Sequence, residues 1–498
     1  MQKRVCLALA MGGAVALIVA GCRGWAVGPD YKEPEIQAAD VPLPDAGFPT
    51  TNKTATGEFK AAETNEDPRT EISAASIRAW WTQFNDGVLT NLVEAAVSNN
   101  LSFLMAQERL VQARWTLVGA SAAFLPSITM DGTYTRSGAH GFTSSRGGSG
   151  KAYHGDHWNS GFDASWEIDI FGGTRRAYEA AEAQLDASAY SLADAWVSLT
   201  AEIASTYVQL RTVQERLTVA RANLKLQSET YDILKSRLDS GIGDELAVNQ
   251  AKYNVEQTRA SIPNLLASEE QLMNAIAILV GTMPGSLHDM LRPLPPRDWL
   301  VAPQRVAAIP LDAMRHRPDV RAAERSLAAQ VASVGVAEAQ LFPKFYINGS
   351  IGLDSIDANK FFRREAFMGS IGPAFRWPLF QGGNLVAAMK AAESKMSEAA
   401  LKYELAVQTA YGETRNAYSS YTQEYHRYQS LQGAVKAAQD AVNISQDLYK
   451  NGLADFNNVL DAQRSLLTLE EALTISRGKI TTDLIALYKA LGGGVVLE

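Results

Sequence analysis

Cysteine is nearly absent: two residues in 498, at positions 6 and 22. Cys6 falls inside an N-terminal apolar run that reads as a cleaved leader. The mature chain then has one cysteine, so an intramolecular disulfide and a cysteine metal site are both excluded. Histidine is scarce too, with six residues. His140, His154 and His157 fall in a Gly/Ser-rich stretch, and His288, His316 and His426 are scattered. The run His154-Gly155-Asp156-His157 holds metal donors, but in a polar loop it reads as chance, so no metal site is assigned. No His-Glu-x-x-His, Walker loop or Gly-x-Ser-x-Gly motif occurs. Gly147-Gly148-Ser149-Gly150 lacks the lysine and hydroxyl residue of a phosphate loop. With no catalytic constellation, the chain reads as a non-enzyme without a bound cofactor. Basic excess is missing as well: 46 Lys+Arg against 54 Asp+Glu give a net charge of −8, which argues against nucleic acid as a partner. Beyond the N-terminus no run reaches the ~18 apolar residues of a membrane helix. Yet 46% of residues are hydrophobic, so the apolar content has to be spread along the chain.

The N-terminus carries the most specific local signal. Lys3 and Arg4 precede an apolar stretch over residues 6–19, and Val19-Ala20-Gly21 leads into Cys22. A basic start, an apolar segment and small residues before a cut define a secretory signal, here 1–21. Small residues directly before a cysteine resemble a bacterial lipobox, which makes Cys22 the lipid attachment point. Cleavage removes two positive charges and takes the net charge from −8 to −10. Residues 22–80 are polar and rich in Pro, Thr, Ala, Asp and Glu, and read as an extended tether rather than a packed domain. Trp80-Trp81-Thr82-Gln83-Phe84 opens the folded part.

Beyond Phe84 the chain repeats itself. Residues 100–126 and 317–343 align and end in Leu125-Pro126 and Phe342-Pro343. Ser240-Gly241 recurs as Asn451-Gly452, 211 positions later. Two tandem copies of about 210 residues imply pseudo-symmetry within one assembly. The first copy is placed at 81–281, a connector at 282–310 and the second copy at 311–498. In each copy apolar residues recur every seventh position: Ile203, Leu210, Leu217, Leu224, Tyr231 and Leu238, then Tyr421, Tyr428, Val435, Val442 and Tyr449, with Val459, Leu466, Leu473, Ile480 and Leu487 continuing. Sustained heptads predict coiled coil. A helix over 174–240 would run roughly 100 Å, far beyond an ordinary globular helix. Gly241 and Gly452 can end these helices with positive φ. The return path is a helix over 244–280, which Pro263 should kink, and one over 311–341. A further helix is expected over 88–124.

Four segments switch to period two: 124–137, 158–171, 342–354 and 367–380. Ile128, Met130 and Tyr134 alternate with Thr129, Asp131 and Thr133, and the other three segments do likewise. One apolar face at period two defines a β-strand, and the lengths fit tilted membrane strands. Trp158, Trp166, Phe345 and Trp377 suit interfacial aromatic belts. Taken alone, the segments fit soluble hairpins equally well. The polar loop 136–158 favours a barrel, but four strands cannot close one around a lumen. Three chains would supply twelve strands and leave no edge.

Several pieces together resemble the TolC-type outer-membrane factors, in particular the lipoprotein (NodT/OprM-like) branch serving RND efflux pumps. They are Arg317-Pro318-Asp319-Val320 with Ala323-Glu324, Gly335, Ala337 and Phe342-Pro343; Trp166 through Gly172; Ile278-Leu279-Val280-Gly281; and Gly452 with Leu460 through Leu466. The resemblance spans nearly the whole mature chain. It implies an α+β membrane protein: a homotrimeric twelve-stranded outer-membrane barrel with four strands per chain, continued by a periplasmic coiled-coil barrel with a small equatorial region. It implies a passive exit duct anchored in outer-membrane lipid, working with a periplasmic adaptor (membrane fusion protein) and an inner-membrane RND pump. Gly241, Gly243, Gly452 and Leu453 would form the adaptor-docking tips. Asp461 would narrow the pore; Asn458 stands where a second carboxylate often lies, and Asp455, one turn earlier, could compensate. Two other readings stay open at this point: the duct of a type I protein-secretion system, and a periplasmic coiled-coil scaffold lipoprotein without a pore.

Overall fold

A computed structural model of the chain describes residues 26–34, 80–139, 153–294, 316–451 and 453–493. Cys22 and Gly452 lie outside the described residues. The chain divides into two compact units, and each takes pieces from both sequence copies. One unit comprises Met1–Pro34, Leu110–Ser188 and Ala322–Tyr403; the other comprises Glu35–Arg109, Ala189–Arg321 and Glu404–Glu498.

The element order begins with a buried 3-10 turn, Trp80–Phe84, followed by α1 (Gly87–Asn99), α2 (Leu101–Ala122), β1 (Ser127–Ala139) and β2 (Tyr153–Ile168). Then come α3 (Gly173–Asp239), α4 (Glu245–Val280), a single turn α5 (His288–Leu291), α6 (Pro318–Ala339), β3 (Lys344–Ser355), β4 (Phe367–Arg376), α7 (Asn384–Lys450) and α8 (Phe456–Ala490). The two long helices, α3 and α7, each have 67 residues, and both ends are offset by 211. The heptad positions of α3 are buried or half-buried along the whole coil.

In the helical unit, one core joins Leu89, Leu92, Ile203, Tyr207, Leu210, Ile276, Ile485 and Leu487 with the opening tryptophans. Trp80 stacks on Tyr488 at 5.6 Å, which fixes the start of the fold on its last helix. Asp86 caps α1 by accepting from Val88 N and Leu89 N, and its second oxygen accepts the Tyr207 hydroxyl at 2.6 Å.

Several boundaries differ from the expectation. The helix expected over 88–124 breaks at Asn100, whose ψ of 122° is extended. The Asn100 carboxamide oxygen accepts Phe103 N at 2.9 Å, so this residue serves as the N-cap of a new helix. Of the helix expected over 311–341, residues 311–315 lie outside the described residues, and α6 begins at Pro318. Proline suits the first helical position, where no N–H is needed, and it disfavours helical backbone in Arg317 before it. Strand β2 starts at Tyr153, and β1 pairs with it up to Ala139. His157 therefore lies on a strand, not in the loop. Strand β4 stops at Arg376, before Trp377-Pro378, while Pro373 is accommodated within it opposite Ile347 because β4 is an edge strand. Helix α4 continues through Pro263 to Val280.

Residues 26–34, read as part of the tether, are docked in the sheet-bearing unit. Val27 N donates to Phe171 O at 3.1 Å. The buried Arg176 guanidinium donates to Val27 O, Gly28 O, Asp30 and Glu179. Tyr31 donates to Glu324 at 3.0 Å, and Glu324 is only 2% exposed. Burial, then the Glu324 charge, holds the Tyr31 hydroxyl above the usual tyrosine range. A side chain on Gly28, at φ +98°, would run into Gly335 Cα, which gives the glycine at 335 a packing reason.

Candidate channel wall, junctions and tips

The four strands form one antiparallel sheet in the order β1-β2-β3-β4. The register decides which side chains share a face, since successive residues alternate. Ile128 pairs Ala164, which pairs Gly349, which pairs Ile371; Met130 pairs Phe162, which pairs Ile351, which pairs Gly369. Nearer one end, Trp166 pairs Ile347, and Ile168 pairs Phe345, which pairs Phe375. The apolar sets of all four strands thus meet on one face. In the single chain that face is bare: Ile128, Met130, Phe162, Ile351, Phe375 and Ile371 are exposed, the last by 83%.

The opposite face is polar and cross-linked. Ser165 donates to Asn348 at 2.9 Å, and the Ser350 and Ser370 hydroxyls lie 2.8 Å apart. Lys344 pairs with Glu167 at 3.2 Å. His157 lies on this face with Nε2 3.1 Å from Asp354, which also accepts from Asn159. At mid-height Gly161 and Gly352 face each other so closely that a Cβ on either would clash with the other's backbone. This close pair was not anticipated; only the register reveals it. The outer edges of β1 and β4 have no strand partner among the described residues. A sheet with one apolar face, one polar face and two open edges is a piece of a membrane barrel wall, because an open edge in lipid leaves backbone groups unpaired.

Helices α2 and α6 lead into the sheet, and matched contacts fix both joints. The Trp166 indole N–H donates to Phe124 O at 3.0 Å, and the Trp377 indole N–H donates to Leu341 O at 3.2 Å. The tryptophans are 211 residues apart and the carbonyls 217, following the two repeat offsets. In the helical unit, Asn100 donates to Leu279 O at 2.8 Å and Arg317 donates to Ala490 O at 2.9 Å. Here too the donors are 217 apart and the acceptors 211. Each closes the last turn of a helix whose end carbonyls lack intrahelical partners. Arg317 also holds Asp319 at 2.8 Å and Glu413 at 2.7 Å. Burial works against its charge, but the bonds and charges of these two carboxylates outweigh it and raise its pKa. The Arg-Pro-Asp-Val stretch is thus a joint. Arg211, absent from the predicted sites, is buried and donates to Gln214, Leu291 O and Pro293 O, pinning the start of the 282–310 connector. Residues 295–310 of that connector lie outside the described residues.

At the first tip, Gly241 adopts φ +76°. Gly241 N donates to Leu238 O and Ile242 N to Arg237 O, which together make a Schellman end. Leu453 N donates to Leu448 O, the counterpart of the Ile242 bond. The aliphatic side chains that come after the two turns are both bare, Ile242 by 79% and Leu453 by 74%. Gly243 has no room for a side chain against Leu238. Asp244 caps α4 by accepting Leu246 N at 3.0 Å. Its repeat counterpart, Asp455, sits at the N-cap of α8 without a side-chain capping bond. Phe456, Val459 and Leu460 are buried against Leu234, Ala247, Val248 and Ala251. Asn458 and Asp461 therefore share the outer face of α8, where both are exposed. Among the described residues no group of three or more metal-binding side chains comes together.

Amphipathic sheet and hairpin coils define a subunit of an outer-membrane channel. A model of the outer membrane efflux protein family matches residues 92–282 and 309–493, and the chain belongs to that family. It is 33% identical over 479 residues to nodulation protein T of Rhizobium leguminosarum bv. trifolii, covering 96% of each chain. It is 29% identical to the pyoverdine export outer membrane protein OpmQ of Pseudomonas aeruginosa, over 84% of this chain and 88% of that one. The solved outer-membrane channel OprN superimposes with a TM-score of 0.82 at 31% identity, covering 94% of this chain and 99% of that one. The fold is that of the trimeric TolC-like efflux channels, the function is outer-membrane efflux, and the chain resides in the outer membrane. Secretion-duct and scaffold readings give way to efflux.

Proposed function

We propose that three copies of this chain join β1 of one to β4 of the next in a twelve-stranded barrel, forming the passive exit duct of an RND-type tripartite pump. The observation that carries this is the four-stranded sheet with a bare apolar face and two unpaired edges. The duct catalyses no reaction and needs no cofactor; its drive comes from an inner-membrane pump joined through a periplasmic adaptor. A small-molecule cargo is motivated by OpmQ, which is named for pyoverdine export. Cys22 carries the lipid that anchors the chain. The adaptor docks on the turns at Gly241, Gly243, Gly452 and Leu453. Asp461 narrows the pore: its exposure on the outer face of α8 leaves the carboxylate free to meet its symmetry mates. Asn458 shares that face as a neutral neighbour, and Asp455 stands one turn nearer the tip.

The test is electrical. Asp461→Ala should leave heat-modifiable trimers intact and raise single-channel conductance in planar bilayers. Unchanged conductance would remove Asp461 from the gate; loss of trimers in the unaltered protein would remove the duct.

A further inference from the structure

The helices α2, α3, α6 and α7 all join the sheet at one end, so both hairpin turns lie at the other. With the helices on the periplasmic side, the loop between β3 and β4 sits at the outer surface. It is held in one shape by two 3-10 turns, Ala358–Lys360 and Arg364–Ala366. Asp357 accepts Asn359 N at 3.0 Å, the Ser355 hydroxyl donates to Asp357 O at 2.9 Å, and Ala366 is buried.

Two kinds of side chain stand bare on this frame. Ile356 is 76% exposed and Phe362 is 87% exposed. Lys360, Arg363 and Arg364 are exposed as well, and none of the three has an ion-pair partner among the described residues. On the neighbouring hairpin, by contrast, Arg136 lies 3.6 Å from Asp156. The loop also continues the bare apolar face of the sheet. On that face, nearest the loop, Tyr134 pairs Trp158 with ring centres 4.3 Å apart, and Leu353 pairs Phe367. Aromatic side chains collect where acyl chains give way to head groups. Unpaired cations just beyond such a band lie at head-group depth. Phosphate is the anion available there, and the guanidinium fork matches its oxygens. A loop that met only water would gain nothing by baring Ile356 and Phe362.

We propose that this loop is a binding site for a phosphate-bearing lipid of the outer leaflet. Lys360, Arg363 and Arg364 take the phosphate oxygens, and Ile356 and Phe362 rest among the acyl chains. The site rests on the barrel reading above, since only a membrane wall brings the loop to head-group depth.

Native mass spectrometry of the full-length trimer in detergent tests this, with the phosphorylated glycolipid lipid A and its dephosphorylated form as probes. The unaltered protein should prefer lipid A by about tenfold or more. Lys360→Gln, Arg363→Gln and Arg364→Gln should each weaken lipid A by about fivefold and leave the dephosphorylated lipid unchanged. Arg363→Lys with Arg364→Lys should keep most of the preference, because the charge remains. Arg136→Gln should leave it intact, because that cation already has a carboxylate. No preference in the unaltered protein, or one that survives all three glutamine variants, overturns the site. Loss of trimers in those variants also overturns it, because the loop would then be a contact between subunits. Trimers and bilayer conductance are read separately. If both persist without the phosphate preference, the lipid site fails and the duct stands; if the unaltered protein forms no conducting trimer, the duct itself fails.

Discussion

Gly478 sits inside α8 and is fully packed: a Cβ there would overlap the Thr212 hydroxyl on α3. In an exposed helix Gly→Ala gains up to ~1 kcal/mol. Here overpacking reverses the sign, and Gly478→Ala should cost about 1–3 kcal/mol. Adding Thr212→Ala should recover part of that loss in a double-mutant melt; additive losses would disprove the contact. A second residue-level effect concerns Asp194. Burial, then the charge of Asp319, raises its pKa above the ordinary carboxylate value. A raised folded-state pKa makes the acid more favourable when protonated, so its contribution is best below the unfolded value of 3.8 and is lost as pH rises through the folded one. Asp194→Asn should therefore raise the melting temperature at pH 7 and make little difference at pH 3.5. An equal gain at both values would exclude ionisation as the cause.

At the scale of elements, the two copies solve the same joint with different chemistry. Asn100 closes its helix end with a neutral amide, and Arg317 closes the matching end with a cation held by two carboxylates. Removing Arg317 leaves Ala490 O with only the Thr414 hydroxyl, at 3.3 Å, and leaves Asp319 and Glu413 without their cation. Arg317→Ala should cost about 2–3 kcal/mol in denaturant unfolding, against about 1 for Asn100→Ala. Arg317→Lys should rescue little, since a point charge cannot replace the fork. Equal costs at the two joints would contradict this asymmetry.

For the whole molecule, the sheet's two faces demand different solvents. A charge at Ile371, on the bare apolar face, should cost about 2–4 kcal/mol per chain as lysine in the membrane midplane, so Ile371→Lys should lose heat-stable trimers. Ser370→Lys points to the polar face and should retain them. If both variants assembled alike, that face would not meet lipid.

Much of the architecture was legible one segment at a time. Period two marked the four strands and their apolar sides, and period seven marked the first long helix nearly to the residue and the presence of its repeat, because these signals live in neighbours along the chain. The break at Asn100, the docking of residues 26–34, the Arg317 joint and the Gly161–Gly352 approach were not legible. Their partners lie far along the chain: 148 residues from Gly28 to Arg176, 293 from Tyr31 to Glu324, 191 from Gly161 to Gly352, and 173 and 179 at the two joints. No local pattern encodes these distant contacts, although Asn100 is itself an N-cap residue type. The sequence by itself determined which segments are amphipathic and at what period, since burying one face of a strand or helix needs only that spacing. Tertiary structure alone decided which helix end each cap closes and which distant polar groups pair, because distant chain segments satisfy each other's hydrogen bonds only once packing has brought them together.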